Sequence, residues 1–170
     1  VSGVEALVRW EHPRHGCVPP ASFIGLAEDT GQIVAIGEWV LEQACSGAVR
    51  WLEAGMPGFS VAPDFAVSVN LSPRQFRQKE LVAMVAGVLM RTRLPPSRLQ
   101  LEITESSMMQ DVEQATRTLR AVNALGVRLA LDDFGTGYSS LAYLKTFPID
   151  DLKIDRSFVR DVDTDKDSDV

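Results

Sequence analysis

Apolar residues along the chain recur at two spacings that take turns. GVEALVRW (3–10), FAVSVNLS (65–72), LQLEITES (99–106), VRLALDDF (127–134) and DDLKID (150–155) are short runs of aliphatic and β-branched residues, and they read as strands. The first carries a charge within it, yet its composition fits a buried strand better than a surface one. Between the strands the spacing becomes helical. Ile33, Ile36, Val40, Ala44, Ala48 and Leu52 fall every three or four residues, which predicts an amphipathic helix ending near Gly55. Leu81, Val82, Val85 and Leu89 give the next helix its apolar face. Asp111 with Gln114 forms a capping-box pair, Val112, Ala115, Leu119 and Val122 supply the stripe behind it, and Gly126 marks the stop. SSLAYLK (139–145) predicts one more short helix, while HPRHGCVPP (12–20) breaks regular structure at its prolines and glycine.

Five strands separated by four helical segments imply parallel pairing, in either an open doubly wound sheet or a (β/α)₈ barrel. The polar residues decide between them. Glu5, Asn70, Glu102 with Glu105, Asp132 with Asp133, and Lys153 fall within or toward the ends of five successive predicted strands. In a barrel, side chains at the C-terminal ends of several strands converge on one mouth; in an open sheet they would spread along a line too long to share a ligand. Convergence favours an α/β fold of the TIM type, with about five of its eight strands present in this chain.

Composition narrows the chemistry. The 170 residues are 45% hydrophobic and 24% charged, enough for one globular domain with a core, and the formal net charge of −6 disfavours sequence-independent binding to long nucleic acid. A phosphate-bearing substrate must then be held locally, by cations or a few arginines. No long uninterrupted apolar stretch and no signal-peptide pattern occurs at the start, so a soluble cytoplasmic segment is expected. Cys17 and Cys45 have no CxxC partner and read as reduced thiols. The chain opens inside a strand and closes in the acidic run Asp161 to Asp169, as a piece of a longer protein would.

Clustered carboxylates repel one another and resist burial unless cations neutralise them. Oxygen ligands from Asp, Glu and Asn suit Mg²⁺ or Mn²⁺, and the adjacent Asp132 and Asp133 could serve two ions at once. Two such ions about 3.5–4 Å apart are suited to cleaving a phosphodiester by in-line attack.

EALVRW (5–10), Asn70-Leu71-Ser72, Glu102-Ile103-Thr104-Glu105, DDFGTGYSSL (132–141) and Lys153-Ile154-Asp155, with HPRHG, FIGLAEDTG and WVLEQAC between them, together resemble the EAL phosphodiesterase family, in the family's order and over essentially all of residues 1–170. The resemblance implies metal ligation by Glu5, Asn70, Glu102, Asp132 and Asp133. It implies that Lys153 contacts the attacking water, that Arg9 contacts a substrate phosphate and that Leu7 lies against the substrate. Glu105, counted with Lys153 in the catalytic set, is implied to prop the 132–141 loop, which also shapes a homodimer contact. The implied reaction opens cyclic-di-GMP to linear pGpG with two Mg²⁺ or Mn²⁺ ions. The family barrel also has a preceding strand and helix and a later AEGVE strand and QGY segment, so the domain is expected to be truncated at both ends. GGDEF or sensory domains in the parent chain, and a membrane anchor elsewhere in it, are compatible with the resemblance.

Plainer roles stand beside these. Glu5 could pair with Arg9, Asn70 could cap the turn at Ser72-Pro73, Asp132 and Asp133 could cap a helix, Glu105 could cap near the 106–111 turn, and Lys153 could simply be solvated. His12 and His15 read as turn residues, and Trp10, Trp39 and Trp51 as packing of the barrel wall. Gly135-Thr136-Gly137 lacks the lysine of a phosphate-binding loop. At the level of function, a receptor that binds cyclic-di-GMP without cutting it, or a dimerisation module of a signalling protein, are the alternatives.

Overall fold

In a computed structural model, described here for residues 3–55, 65–109, 111–135 and 146–155, five strands form one parallel sheet in the order β1 (Gly3–Ala6), β4 (Ala66–Leu71), β5 (Leu99–Thr104), β6 (Arg128–Phe134), β7 (Asp151–Ile154). Every neighbouring pair is parallel, and spatial order follows chain order, the arrangement of a barrel wall rather than of a doubly wound sheet. The fold is therefore a five-strand part of a TIM-type barrel.

Period-two alternation sorts each strand into two faces. Val67, Val69 and Leu71, then Leu99, Leu101 and Ile103, then Leu129 and Leu131 are all buried against the helices. Helix α2 (Ile33–Glu53) covers them with Leu41, Cys45 and Ala48, α4 (Leu81–Thr92) with Leu81, Val85, Val88 and Leu89, and α6 (Val112–Asn123) with Ala115, Leu119 and Val122. Burying these side chains at about 25 cal/mol per Å² is the main force fixing the strands side by side. Asp111 caps α6 by accepting from the Gln114 amide at 2.9 Å.

Several expectations are corrected. The first strand ends at Ala6 and is half-exposed rather than buried, because β4 is its one neighbour among the described residues. The 12–20 segment is not irregular: β2 (Trp10–His12) and β3 (Gly16–Val18) form an antiparallel hairpin, with Gly16 at φ 65° opening β3 directly after the turn. Three α-helices were not anticipated, α1 (Ile24–Thr30), α3 (Pro73–Phe76) and α5 (Glu105–Met109); α3 has a full capping box, in which Ser72 and Gln75 exchange side-chain-to-backbone bonds. The strand assigned to 99–106 stops at Thr104, and Glu105 opens α5 (Glu105–Met109). Trp39 is 57% exposed and Trp10 46% exposed, so neither packs the wall, whereas Trp51 lies against the core. The predicted 139–145 helix and the acidic run lie outside the described residues.

Candidate active site

The second face of each strand, turned away from the helices, is polar. Reading across the sheet it carries Glu5, then Ser68 and Asn70, then Gln100, Glu102 and Thr104, then Arg128, Ala130 and Asp132, then Asp151 and Lys153. In a barrel this is the inner face. Glu5, Asn70, Glu102, Asp132 and Lys153 belong to its upper tier, at the C-terminal side. A cavity of about 460 Å³ opens mainly below that tier, lined by Ser68, Gln100, Arg128 and Asp151 with Glu5 and Lys153.

Within the upper tier the contacts are direct. Asn70 Nδ2 donates to Glu5 Oε1 at 2.7 Å. Lys153 Nζ is ion-paired with Glu102 Oε1, whose side chain is wholly buried. Beyond that pair neither Glu102 oxygen has a hydrogen-bond donor among the described residues, and an unmet buried carboxylate oxygen is costly without a cation. Burial pulls the Lys153 proton affinity down, but the hydrogen bond to Glu102 and the charges of Glu102, Glu5 and Asp132 outweigh it, so its pKa is raised. The charges of the same three carboxylates thus act on one ammonium, and of the three Glu102 is the one ion-paired with it.

Asp132 and Asp133 differ in setting. Strict alternation would put them on opposite faces, but the β6–β7 register shifts between Leu131 and Phe134 and Asp133 adopts φ 54°, a left-handed conformation uncommon outside glycine. Burial raises the Asp133 pKa, with the charges of Asp132 and Asp155 adding to it. Asp132 is half-buried and Asp133 exposed. Glu105 is 2% exposed, and its Oε2 accepts from the amide of Gly135, the first residue after β6, at 3.3 Å.

Arg9 donates to the Val8 carbonyl at 2.8 Å, and Glu5 turns to Asn70. Leu7 is 56% exposed; with Arg9, Asn70 and Thr104 it lines a mainly apolar cleft of about 280 Å³. His12 Nδ1 accepts from the Arg14 amide within the hairpin turn. Cys17 and Cys45 are both free thiols.

For a hard divalent cation the donor chemistry fits, since the acidic and amide side chains offer only oxygen and Glu102 keeps an oxygen without a donor. Among the described residues, however, no three His, Cys, Asp or Glu side chains stand close enough to share an ion, and Lys153 supplies the positive charge next to Glu102. The tier is not gathered into a closed coordination shell.

Reading only the strand ends missed the tier beneath: Ser68, Gln100, Arg128 and Asp151 lie two residues before Asn70, Glu102, Ala130 and Lys153 respectively. Their signal was available, as polar residues at every second position of otherwise aliphatic strands.

Comparison with known proteins bears on this arrangement. The family model described as EAL domain matches residues 1–169. The chain is 49% identical over 165 residues to the bifunctional diguanylate cyclase/cyclic di-GMP phosphodiesterase MucR of Pseudomonas aeruginosa, covering 97% of this chain and 23% of that protein. It spans about a fifth of the length of the curated relatives it matches. The structure of the MucR phosphodiesterase in complex with c-di-GMP superimposes with a TM-score of 0.88 at 48% identity, covering 96% of this chain and 64% of that one. The EAL enzyme Bd1971, in a form bound to cAMP and cyclic-di-GMP, gives 0.86 at 37% identity, covering 98% and 45%.

Proposed function

The chain belongs to the EAL domain family, and from that premise we propose that it is the part of a phosphodiesterase that hydrolyses cyclic-di-GMP to linear pGpG with Mg²⁺ or Mn²⁺. The observation that carries the reading is the upper tier itself: Lys153 paired with Glu102 and acted on by the charges of Glu5 and Asp132, with Asn70 on Glu5, one residue from each of five neighbouring parallel strands. Glu5, Asn70, Glu102, Asp132 and Asp133 would hold the cations. When bound, these would supply Lewis-acid polarisation of the scissile phosphate. Arg9 would pair with a phosphate oxygen, Leu7 would pack against the nucleotide, and Lys153 would orient the attacking water. Glu105 would hold the segment after Asp133 in place through Gly135. Partners proposed on the same footing are the dinucleotide itself, a second copy through the 132–141 region, and GGDEF or sensory domains in the parent protein.

A second reading has an observation in its favour. The direct Lys153–Glu102 pair neutralises Glu102 without a metal, as suits a site that binds the dinucleotide and does not cut it. Incubating the protein at its natural full length with cyclic-di-GMP and Mn²⁺, then resolving the nucleotides by chromatography, separates the two. One linear dinucleotide whose formation a chelator stops is the expected result. Tight binding with no product at any Mg²⁺ or Mn²⁺ concentration would establish the receptor instead.

A further inference from the structure

The lower tier is a connected network. Ser68 Oγ donates to Gln100 Oε1 at 2.8 Å, Gln100 Nε2 donates to Asp151 Oδ2, and Arg128 Nη2 pairs with the same oxygen at 2.8 Å. Ser68 and Gln100 are each 8% exposed, so their bond forms away from water, while the two bonds to Asp151 are part-buried. The path they take is set by register. Gln100 lies opposite Arg128, Glu102 opposite Ala130, and Ala130 opposite Asp151, so the Gln100–Asp151 bond reaches from β5 to β7 across β6. The Glu102–Lys153 pair makes the same crossing one tier higher. Both cross β6, where Ala130 on the same face between Arg128 and Asp132 is wholly buried.

The ladder of β7 with β6 is irregular between Leu131 and Phe134, so backbone pairing with β6 alone does not fix the strand along its length. Apart from the ladder it is tied below by Asp150, whose Oδ2 accepts from the Leu129 amide at 2.8 Å, and across the face by Asp151. Asp151 and Lys153 share one face two residues apart, so whatever fixes the Asp151 carboxylate also fixes where the Lys153 stem leaves the strand.

We infer that Gln100, Arg128 and Asp151 form a clamp that sets the position of β7, and through it places Lys153 against Glu102. This rests on the phosphodiesterase reading for its catalytic consequence, but not for its structural one. The three are positioning residues; none is assigned a contact with the substrate.

The test uses the full-length protein with cyclic-di-GMP and Mn²⁺. Gln100→Leu and Asp151→Leu should each lower kcat about tenfold with KM changed less than about twofold, and the double variant should be no worse than either alone. Asp151→Asn retains an oxygen for both donors and should stay within about twofold of the natural protein. Amide hydrogen exchange in residues 151–154 should quicken in both leucine variants and stay unchanged in β4. Natural kcat in the leucine variants, a loss appearing in KM alone, or an Asp151→Asn defect as large as that of Asp151→Leu would overturn the clamp. If the unaltered protein shows no turnover, the phosphodiesterase reading falls, and exchange alone decides: quickening confined to β7 supports the clamp and unchanged β7 exchange removes it.

Discussion

At the scale of single residues the site is a set of charges placed in pairs. Glu105 is the case where chemistry and support are easiest to separate, because its buried carboxylate reaches the Gly135 amide from the start of α5. Glu105→Ala should lower kcat by about 10–100-fold, as loss of an outer-shell partner does, while Glu105→Gln, which keeps an oxygen for Gly135, should recover most of it. Equal defects in the two variants would mean that the charge matters and the anchor does not. The two thiols offer a check on burial. Burial, with the Glu42 charge adding to it, pushes the Cys45 thiol up to about 12, whereas Cys17 is exposed. A thiol reagent at pH 8 should label Cys17 alone in the folded protein and both after denaturation. Because the folded value is raised, the stability this thiol contributes is complete below its unfolded value and is lost as pH rises toward about 12. Which residues were polar at strand ends could be read from the chain. That Asp133 takes a left-handed backbone could not, since the bulge arises from how β6 meets β7.

At the scale of elements, packing is close enough to make particular glycines obligatory. A Cβ at Gly37 on α2 would stand 1.7 Å from Gln75 Nε2, and Gln75 cannot swing away freely because its Oε1 caps the Ser72 amide at 3.2 Å. Gly37→Ala should therefore cost roughly 1–3 kcal/mol, seen as a lowered thermal midpoint. An unchanged midpoint would show that the α2–α3 contact yields without cost. The long helices were legible because each stripe repeats over several turns, as in Ala115, Leu119 and Val122. The short elements were not. Helix α3 is four residues long and depends on its cap and on α2, and the β2–β3 hairpin has three residues a side, too few to show alternation. Half-burial of β1 was equally hidden, because a strand's neighbours are a property of the sheet.

At the scale of the whole molecule, chain order and spatial order of the five parallel strands coincide, and this brings residues as distant as Glu5 and Lys153 to one face. The convergence was readable from the sequence as polar residues ending successive strands. The residues of the lower tier are marked by the same alternation, but which of them bond is not legible in the chain, because the Gln100–Asp151 bond spans two strands and follows from stagger. No helix among the described residues is long and apolar enough to cross a membrane. The central claim, that the upper tier performs the chemistry, is tested most directly by the turnover of Glu102→Gln in the full-length protein with Mn²⁺. Glutamine keeps the shape and removes the charge that faces Lys153. The account predicts a fall in kcat of at least about 100-fold, beyond what outer-shell partners cost, with cyclic-di-GMP still bound and the thermal midpoint preserved. Turnover within about twofold of the natural protein would contradict it.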